Sequence, residues 1–247
     1  MFYIKLDIIS KILYNETTKA RKGEKKMYEK LYFDNPAGNS FHYLRYIPKN
    51  AKNKEKMPLL IFMHGAGERG NIDGSEIDKV AKHGYFARVA EGKEYPFVMV
   101  APQCPSGNYW GSYVESLNKF LDHIIAENNI DTDRIYLTGL SMGGTASWLW
   151  SLGNPERFAA VAPVCGEGIS WYGGNLVNIP IKAFHGDIDD AVSPHASLAM
   201  VSKINKNGGK ASLTLFPGVK HNAWDYAYND ELIEWFAQQS LRNTEEK

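Results

Sequence analysis

The sequence predicts an α/β protein with a mostly parallel central sheet, an N-terminal antiparallel hairpin and helices on both faces of the sheet. Short apolar runs of strand length recur along the chain, which is typical of strands that are covered on both faces. Amphipathic segments of helical period separate these runs. Strands that alternate with helices are joined by right-handed crossovers, so most of the sheet should be parallel.

The composition is that of one folded domain. Of the 247 residues, 44% are hydrophobic and 23% charged, close to the globular norm, which excludes disordered and collagen-like classes. The 28 Lys and Arg residues balance 28 Asp and Glu residues. We therefore expect a small-molecule partner, with neither nucleic acid nor a membrane surface, and the sequence leaves a homodimer open. No stretch approaches the ~20 apolar residues of a membrane span.

The elements follow one another from residue 27 onward. Residues 1–26 read as an N-terminal extension without visible chemistry, and residues 27–247 as the catalytic domain. The β-prone runs YEKLYF and FHYLRYI, separated by the turn-forming DNPAGNS, predict a hairpin. The predicted sheet strands are PLLIFMHG, FVMVAPQ, RIYLTGLS, AAVAPVCG, IKAFHGD and SLTLFPG. The clearest predicted helices are YVESLNKFLDHIIAENN, HASLAMVSKINKNGG and DELIEWFAQQSL.

The motif with the clearest chemistry is Gly139-Leu140-Ser141-Met142-Gly143, which lies directly after a predicted strand and before the helical TASWLWSL. A sharp strand-to-helix turn exposes such a serine in a strained conformation, and the flanking glycines leave room for neighbouring chain and substrate. The helix N-terminus adds a partial positive charge where an oxyanion would form. Ser141 is therefore the predicted nucleophile.

An oxyanion needs two hydrogen-bond donors, one after the nucleophile and one from the loop after an earlier strand. The N–H of Met142 is the first. The glycine-rich loop from His64 to Gly70 supplies the second, for which we choose Ala66, and Gly65 is expected to line the substrate site. Glu68 and Arg69 in this loop are candidates for an ion pair that holds its shape.

The chain order nucleophile, acid, base selects the remaining members of a triad. Among seven histidines, His221 follows the last predicted strand and precedes the C-terminal helix, where a base can reach the nucleophile. His64 and His185 lie beside glycines at strand ends and are expected to be structural. Three acids, Asp187, Asp189 and Asp190, follow the penultimate strand, and the spacing leaves the choice among them open. Turn geometry fits Asp189 without excluding its neighbours.

Several motifs resemble one known family. HGAGERG, APQCP, GLSMGG, APVCG, FHGDIDD and PGVKHNAWD are similar to the carboxylesterase-type, dienelactone-hydrolase-like branch of the α/β-hydrolases, which includes phospholipase/carboxylesterase and feruloyl-esterase-like members. The resemblance covers Leu59 to the C-terminus. It implies that the acid is the aspartate of the H-G-x-x-D pattern, here Asp189. The sequence departs from the family at Asp190, where proline is frequent.

The resemblance also implies a strand order, which bears on the two cysteines. The strand before the HGAG loop should pair with the nucleophile strand on one side and with FVMVAPQ on the other. Cys104 and Cys165 would then follow strands ~14 Å apart, whereas a disulfide needs Cα atoms within ~7 Å. Two cysteines are also too few for a disulfide framework, which favours a cytoplasmic location.

Aromatic residues are concentrated in loops after strands, where ligands bind in open α/β sheets. We expect Trp110 and Trp224 to contact substrate, with Glu167 as a further residue within reach. Flat aromatic walls suit an aryl acyl group or a sugar ring. No group of residues has the spacing of a metal site and no nucleotide fingerprint is present, so we expect no metal and no cofactor.

Together these features predict a serine esterase that transfers the acyl group of a small or aryl ester to Ser141 and then to water. The resemblance extends the substrates to feruloyl or acetyl esters of plant polysaccharide. Two alternatives are a serine peptidase of the same fold and a non-catalytic binding module on a hydrolase scaffold. The second alternative requires a missing triad member, whereas all three roles have candidates here.

Overall fold

The computed structural model describes residues 27–49, 51 and 56–242. The predicted extension, residues 1–26, lies outside the described residues, so the predicted domain boundaries stay a prediction. The strands are β1 (Glu29–Phe33), β2 (Phe41–Tyr46), β3 (Met57–Met63), β4 (Val98–Pro102), β5 (Ile130–Leu140), β6 (Ala160–Val164), β7 (Ile181–Gly186) and β8 (Ala211–Phe216). The helices are α1 (Gly84–Ala90), α2 (Val114–Glu127), α3 (Met142–Gly153), α4 (Pro194–Lys206), α5 (Trp224–Ala227) and α6 (Asp230–Ala237).

The described strands form one eight-stranded sheet in the order β1-β2-β4-β3-β5-β6-β7-β8. β1 and β2 pair antiparallel, as does β2 with β4, and all other pairs are parallel. The predicted architecture is therefore confirmed. β3 lies between β4 and β5, and Cys104 and Cys165 are buried free thiols, both as predicted.

Both faces of the sheet are covered. Successive side chains of β3 alternate between two separate apolar clusters, with Leu59 and Ile61 in one and Leu60 and Phe62 in the other. The first cluster contains the apolar faces of α2, α3 and α4, and the second contains those of α1 and α6. A strand buried on both sides has no polar face, which explains the continuous apolar runs in the sequence.

β5 begins earlier than predicted. The apolar run suggested a start at Arg134, but the strand begins at Ile130, which is paired with Met57 across an irregularity in the register. The polar residues 131–134 belong to the strand although none of them is buried, and the register shifts between Met57 and Leu59 opposite them. Among the described residues, every helix is too short or too polar to cross a lipid bilayer.

Candidate active site

Ser141 occupies the turn between β5 and α3. Its backbone has φ 54° and ψ −119°, a left-handed conformation that a non-glycine residue rarely adopts. Its N–H donates to the Val164 carbonyl at 2.9 Å, which ties the turn to β6. Two tightly packed glycines follow: a Cβ on Gly143 would lie 2.0 Å from the Met63 carbonyl oxygen, and one on Gly144 2.3 Å from that of Val164. The glycines of the motif thus let α3 begin against the backbones of β3 and β6.

The structure brings the three predicted triad residues together in one chain of hydrogen bonds. Ser141 Oγ lies 2.7 Å from Nε2 of His221. The other ring nitrogen, Nδ1, lies 2.8 Å from Oδ2 of Asp189. A carboxylate can only accept, so Nδ1 carries the proton and Nε2 is left to accept from the serine hydroxyl. This is the protonation state that a general base for Ser141 requires.

Asp189 is held by its own turn. Its Oδ1 accepts the N–H groups of Ala191 and Val192 at 2.9 and 3.0 Å, and its side chain has no solvent exposure. Burial alone would raise the pKa of this carboxyl, but the hydrogen bonds from His221, Val192 and Ala191 outweigh it and hold the pKa below its ordinary value. Asp189 is therefore an anion beside the imidazole at neutral pH.

The two neighbouring acids point elsewhere. Asp187 accepts the N–H of Gly218 at 2.7 Å, and Asp190 forms an exposed ion pair with Lys220 at 2.9 Å. Of the three acids that the spacing left open, only Asp189 contacts His221 among the described residues. The proline that is frequent in the family at the position of Asp190 would remove only that surface pair.

A second histidine contacts the same carboxylate. His185 at the end of β7 has Nε2 3.2 Å from Asp189 Oδ2 and 3.0 Å from the Val192 carbonyl, and Nδ1 2.8 Å from Ser197 Oγ. The ring is buried, and burial lowers its pKa. A neutral ring with its proton on Nε2 can donate to Asp189 and Val192. His185 is structural as predicted, and its partner is the predicted catalytic acid.

The loop after β3 approaches the nucleophile. A Cβ on Gly65 would lie 3.5 Å from Cβ of Ser141, so the backbone passes directly beside the serine. Ala66 and Met142 are the first residues of the 3-10 turn Ala66–Glu68 and of α3, so their N–H groups have no partner inside these helices. An N–H group at such a position can donate to a ligand, as the predicted oxyanion role requires. That role stays a prediction here.

His64 and Arg69 hold this loop in place. His64 is fully buried, its Nε2 accepts the Cys104 N–H at 2.9 Å, and its Nδ1 lies 2.6 Å from the Gly65 carbonyl. Burial lowers the pKa of His64 to about 4, so the ring is neutral and both bonds persist. Arg69 donates to the carbonyls of Ala66 and Asn108, both at 2.9 Å.

The suggested ion pair between Glu68 and Arg69 is wrong. Arg69 uses its guanidinium for backbone carbonyls instead. Glu68 is buried, with its carboxylate 3.7 Å from His83 Nε2. Glu68 ends the short 3-10 turn Ala66–Glu68 and Arg69 follows it with an extended ψ of 147°, and adjacency in sequence does not pair the two side chains.

The two tryptophans that were predicted to contact substrate differ in their exposure to solvent. Trp110 is only 1% exposed and its Nε1 donates to the His64 carbonyl at 3.2 Å, so the prediction that it contacts substrate is wrong. It packs beneath the loop because its indole supplies both apolar area and a donor for a buried carbonyl. Trp224 is half-buried, and its ring centre lies 5.4 Å from that of His221. It also borders a hollow of about 240 Å³ that includes His83 and Arg88.

Glu167 is exposed, and its N–H donates to Thr145 Oγ1 in the first turn of α3 at 3.0 Å. This places its backbone at the same edge of the sheet as Ser141. Two residues near the site were missed. Cys165 directly follows β6 and lies close to Asp189 and His221, and His83 contacts both Glu68 and Trp224. The position of Cys165 directly after a strand, at the edge where the other predicted residues gather, was the signal that could have identified it.

Comparison with known proteins identifies the family of this chain. The profile of the dienelactone hydrolase family matches residues 108–231, half of the chain, a range that contains Ser141, Asp189 and His221. The chain belongs to the dienelactone hydrolase family. The solved structure of a thermostable esterase superposes with a TM-score of 0.74 at 32% identity over 87% of this chain and 63% of that one. The α/β-hydrolase fold expected from the motifs is thereby confirmed.

Two curated relatives have named activities. The bifunctional acetylxylan esterase/xylanase XynS20E of Neocallimastix patriciarum is 29% identical over 64% of this chain and 22% of its own length. The protein named Probable feruloyl esterase C of Aspergillus terreus is 25% identical over 69% of this chain and 63% of its own length. The chain thus spans less than two thirds of either relative.

Proposed function

We propose that this chain is a serine carboxylic-ester hydrolase in which Ser141 is the nucleophile, His221 the base and Asp189 the residue that orients the base. The observation that carries the proposal is the continuous hydrogen-bonded series from Ser141 Oγ through both nitrogens of His221 to Asp189 Oδ2. In this series the carboxylate accepts from Nδ1, which leaves Nε2 to accept from the serine hydroxyl as a general base would. Membership of the dienelactone hydrolase family supports the same reaction class.

The reaction follows from the positions of these atoms. Ser141 Oγ attacks the ester carbonyl while its proton moves to His221 Nε2, and the N–H groups of Met142 and Ala66 hold the oxyanion. The protonated ring then gives that proton to the departing alcohol. Water, deprotonated by the same nitrogen, attacks the acyl-enzyme and releases the acid. Asp189 stabilises the imidazolium in both steps and keeps the ring oriented.

The substrates that fit are small or aryl esters, including feruloyl or acetyl esters of plant polysaccharide. Trp224 offers an aromatic edge beside His221, and the relatives named as acetylxylan and feruloyl esterases support esters of this kind. Trp110 is buried and does not line the substrate site. Aryl specificity therefore depends on Trp224 and on exposed rings such as Tyr109.

The decisive experiment is Ser141→Ala assayed with p-nitrophenyl acetate beside the unaltered protein. We expect turnover to fall by roughly 10⁴-fold or more because the acyl-enzyme cannot form. A fluorophosphonate probe should label the unaltered protein at Ser141 and leave the variant unlabelled. Full activity of Ser141→Ala would overturn the mechanism. A panel of acetyl, butyryl, feruloyl and aminoacyl anilide substrates ranks the esters against the peptidase alternative, which gains if anilides are cleaved faster.

A further inference from the structure

A cysteine from a separate part of the sequence lies beside two members of the triad. Cys165, Asp189 and His221 each present one possible ligand atom, and these atoms all lie within 4.8 Å of one another. Thiolate, carboxylate and imidazole are the donor types from which zinc sites are built. The sequence showed no such site because the residues are far apart along the chain and their spacing matches no metal motif.

The backbone holds Cys165 in this place. Its φ is 39°, and among the described residues it shares a positive φ outside glycine only with Ser141. Its N–H donates to the Phe184 carbonyl at 2.8 Å, which fixes it between β6 and β7. The thiol is free and buried. A strained non-glycine position that persists at a site is a sign that the site constrains it.

We propose that Cys165, Asp189 and His221 form a binding site for Zn²⁺, and that its occupation stops the hydrolase. The inhibitory part of this inference rests on the proposed function, whereas the binding part does not. Zinc lies about 2.0–2.3 Å from such ligands, so tetrahedral ligand atoms are about 3.5 Å apart. The widest separation, up to 4.8 Å, therefore needs to close by roughly 1 Å, whereas His221 Nδ1 and Asp189 Oδ2, 2.8 Å apart, need to separate by about half an ångström or slightly more. The side chain of His221 is 24% exposed, which gives the ring freedom to adjust and the ion a path to the buried groups.

Metal binding would change the tautomer of the base. The Cys165 thiol loses its proton to solvent as the sulfur–zinc bond forms, and burial, which raises the pKa of this thiol to about 12, opposes that loss until the ion is present. Nδ1 of His221 coordinates the ion, and its proton is transferred to Nε2. An Nε2 that carries hydrogen donates instead of accepting, so it cannot take the proton of Ser141. Hydrolysis stops although the serine is intact.

The test compares Zn²⁺ inhibition of ester hydrolysis in the unaltered protein, Cys165→Ala and Cys165→Ser, each relative to its own rate without metal. Cys104→Ala is the matched control, because Cys104 is an equally buried free thiol that follows a different strand. We expect both Cys165 variants to need at least about tenfold more Zn²⁺ for half-inhibition. Cys104→Ala should behave as the unaltered protein does, and a chelator should restore activity.

Calorimetric titration with Zn²⁺ separates the site from the reaction. Ser141→Ala, which lacks the nucleophile but keeps all three ligands, should bind one Zn²⁺, and the double variant with Cys165→Ala should bind at least about tenfold more weakly. Equal affinity in these two proteins would overturn the site. Absence of ester hydrolysis in the unaltered protein would overturn the proposed function and leave the calorimetric result to decide the site.

Discussion

Three carboxylates lie within four residues after β7, and each has a different partner. Asp187, Asp189 and Asp190 follow the same strand, yet they accept from a backbone N–H, an imidazole and a lysine respectively. Only Asp189 is buried, and only its carboxylate is also fixed by two N–H groups of its own turn. The difference arises because the turn directs Asp189 inward, whereas Asp187, Ile188 and Asp190 are exposed.

Asparagine substitutions distinguish these three acids. Asp189→Asn should lower kcat by roughly 10³- to 10⁴-fold, because an amide can donate to Nδ1 and thereby favour the wrong tautomer of His221. Asp187→Asn and Asp190→Asn are matched controls and should change kcat by less than about threefold, since exposed contacts contribute little. Steady-state kinetics on one ester measure all three. An equal loss of kcat in Asp190→Asn would contradict the assignment of Asp189 as the acid.

At the scale of elements, the site depends on how closely α3 approaches the sheet. The helix begins at Met142, and Gly143, Gly144 and the facing Gly166 each lie too near another backbone to carry a Cβ. This approach places the helix N-terminus and the Met142 N–H at the serine. The glycines therefore position the proposed oxyanion donor and also allow the helix to pack closely.

Two glycines of the same helix provide the test. Gly144→Ala should destabilise the protein by at least about 2 kcal/mol, because its Cβ would meet the Val164 carbonyl at 2.3 Å and backbone cannot move aside cheaply. Gly153→Ala, at a position with nothing within 4 Å, should leave stability unchanged or raise it by up to about 1 kcal/mol. Urea denaturation measures both. Similar losses in the two variants would contradict the packing argument.

The stability of the whole molecule is linked to buried neutral histidines. His64 joins the loop after β3 to the end of β4, and His185 joins β7 to α4 and to the acid turn. Burial lowers the pKa of both rings, to about 4 for His64. Between pH 6.5 and 4 the unfolded chain binds a proton at His64 that the folded chain does not, so stability falls as pH falls.

The free energy of unfolding should therefore fall less steeply with falling pH when His64 is replaced. The unaltered protein should lose on the order of 1–2 kcal/mol of unfolding free energy from His64 alone between pH 6.5 and 5. His64→Gln should show a correspondingly shallower slope, even though it is less stable at pH 7. The control His195→Gln removes an exposed ring and should keep the slope of the unaltered protein. An unchanged slope in His64→Gln would contradict the linkage.

The sequence by itself determined the order of strands and helices, the turn at Ser141 and the choice of His221. These follow from local properties: apolar runs of strand length, glycine spacing at a sharp turn, and chain order in a fold whose crossovers have one hand. The hairpin, the parallel sheet and all eight strands were predicted, and the largest difference in bounds is the start of β5, because an irregularity in the register is invisible in the hydrophobic pattern.

The tertiary structure alone decided which side chains meet. Asp189 lies against His221, whereas Asp187 and Asp190 have other partners. The sequence favoured Asp189 mainly through the family resemblance. In the structure, Trp110 is buried beneath the loop, and Arg69 donates to a backbone carbonyl instead of pairing with Glu68. Cys165 lies beside Asp189 and His221. Such outcomes depend on the direction of single side chains and on contacts between strands far apart in sequence. Composition, period and spacing carry no information about either.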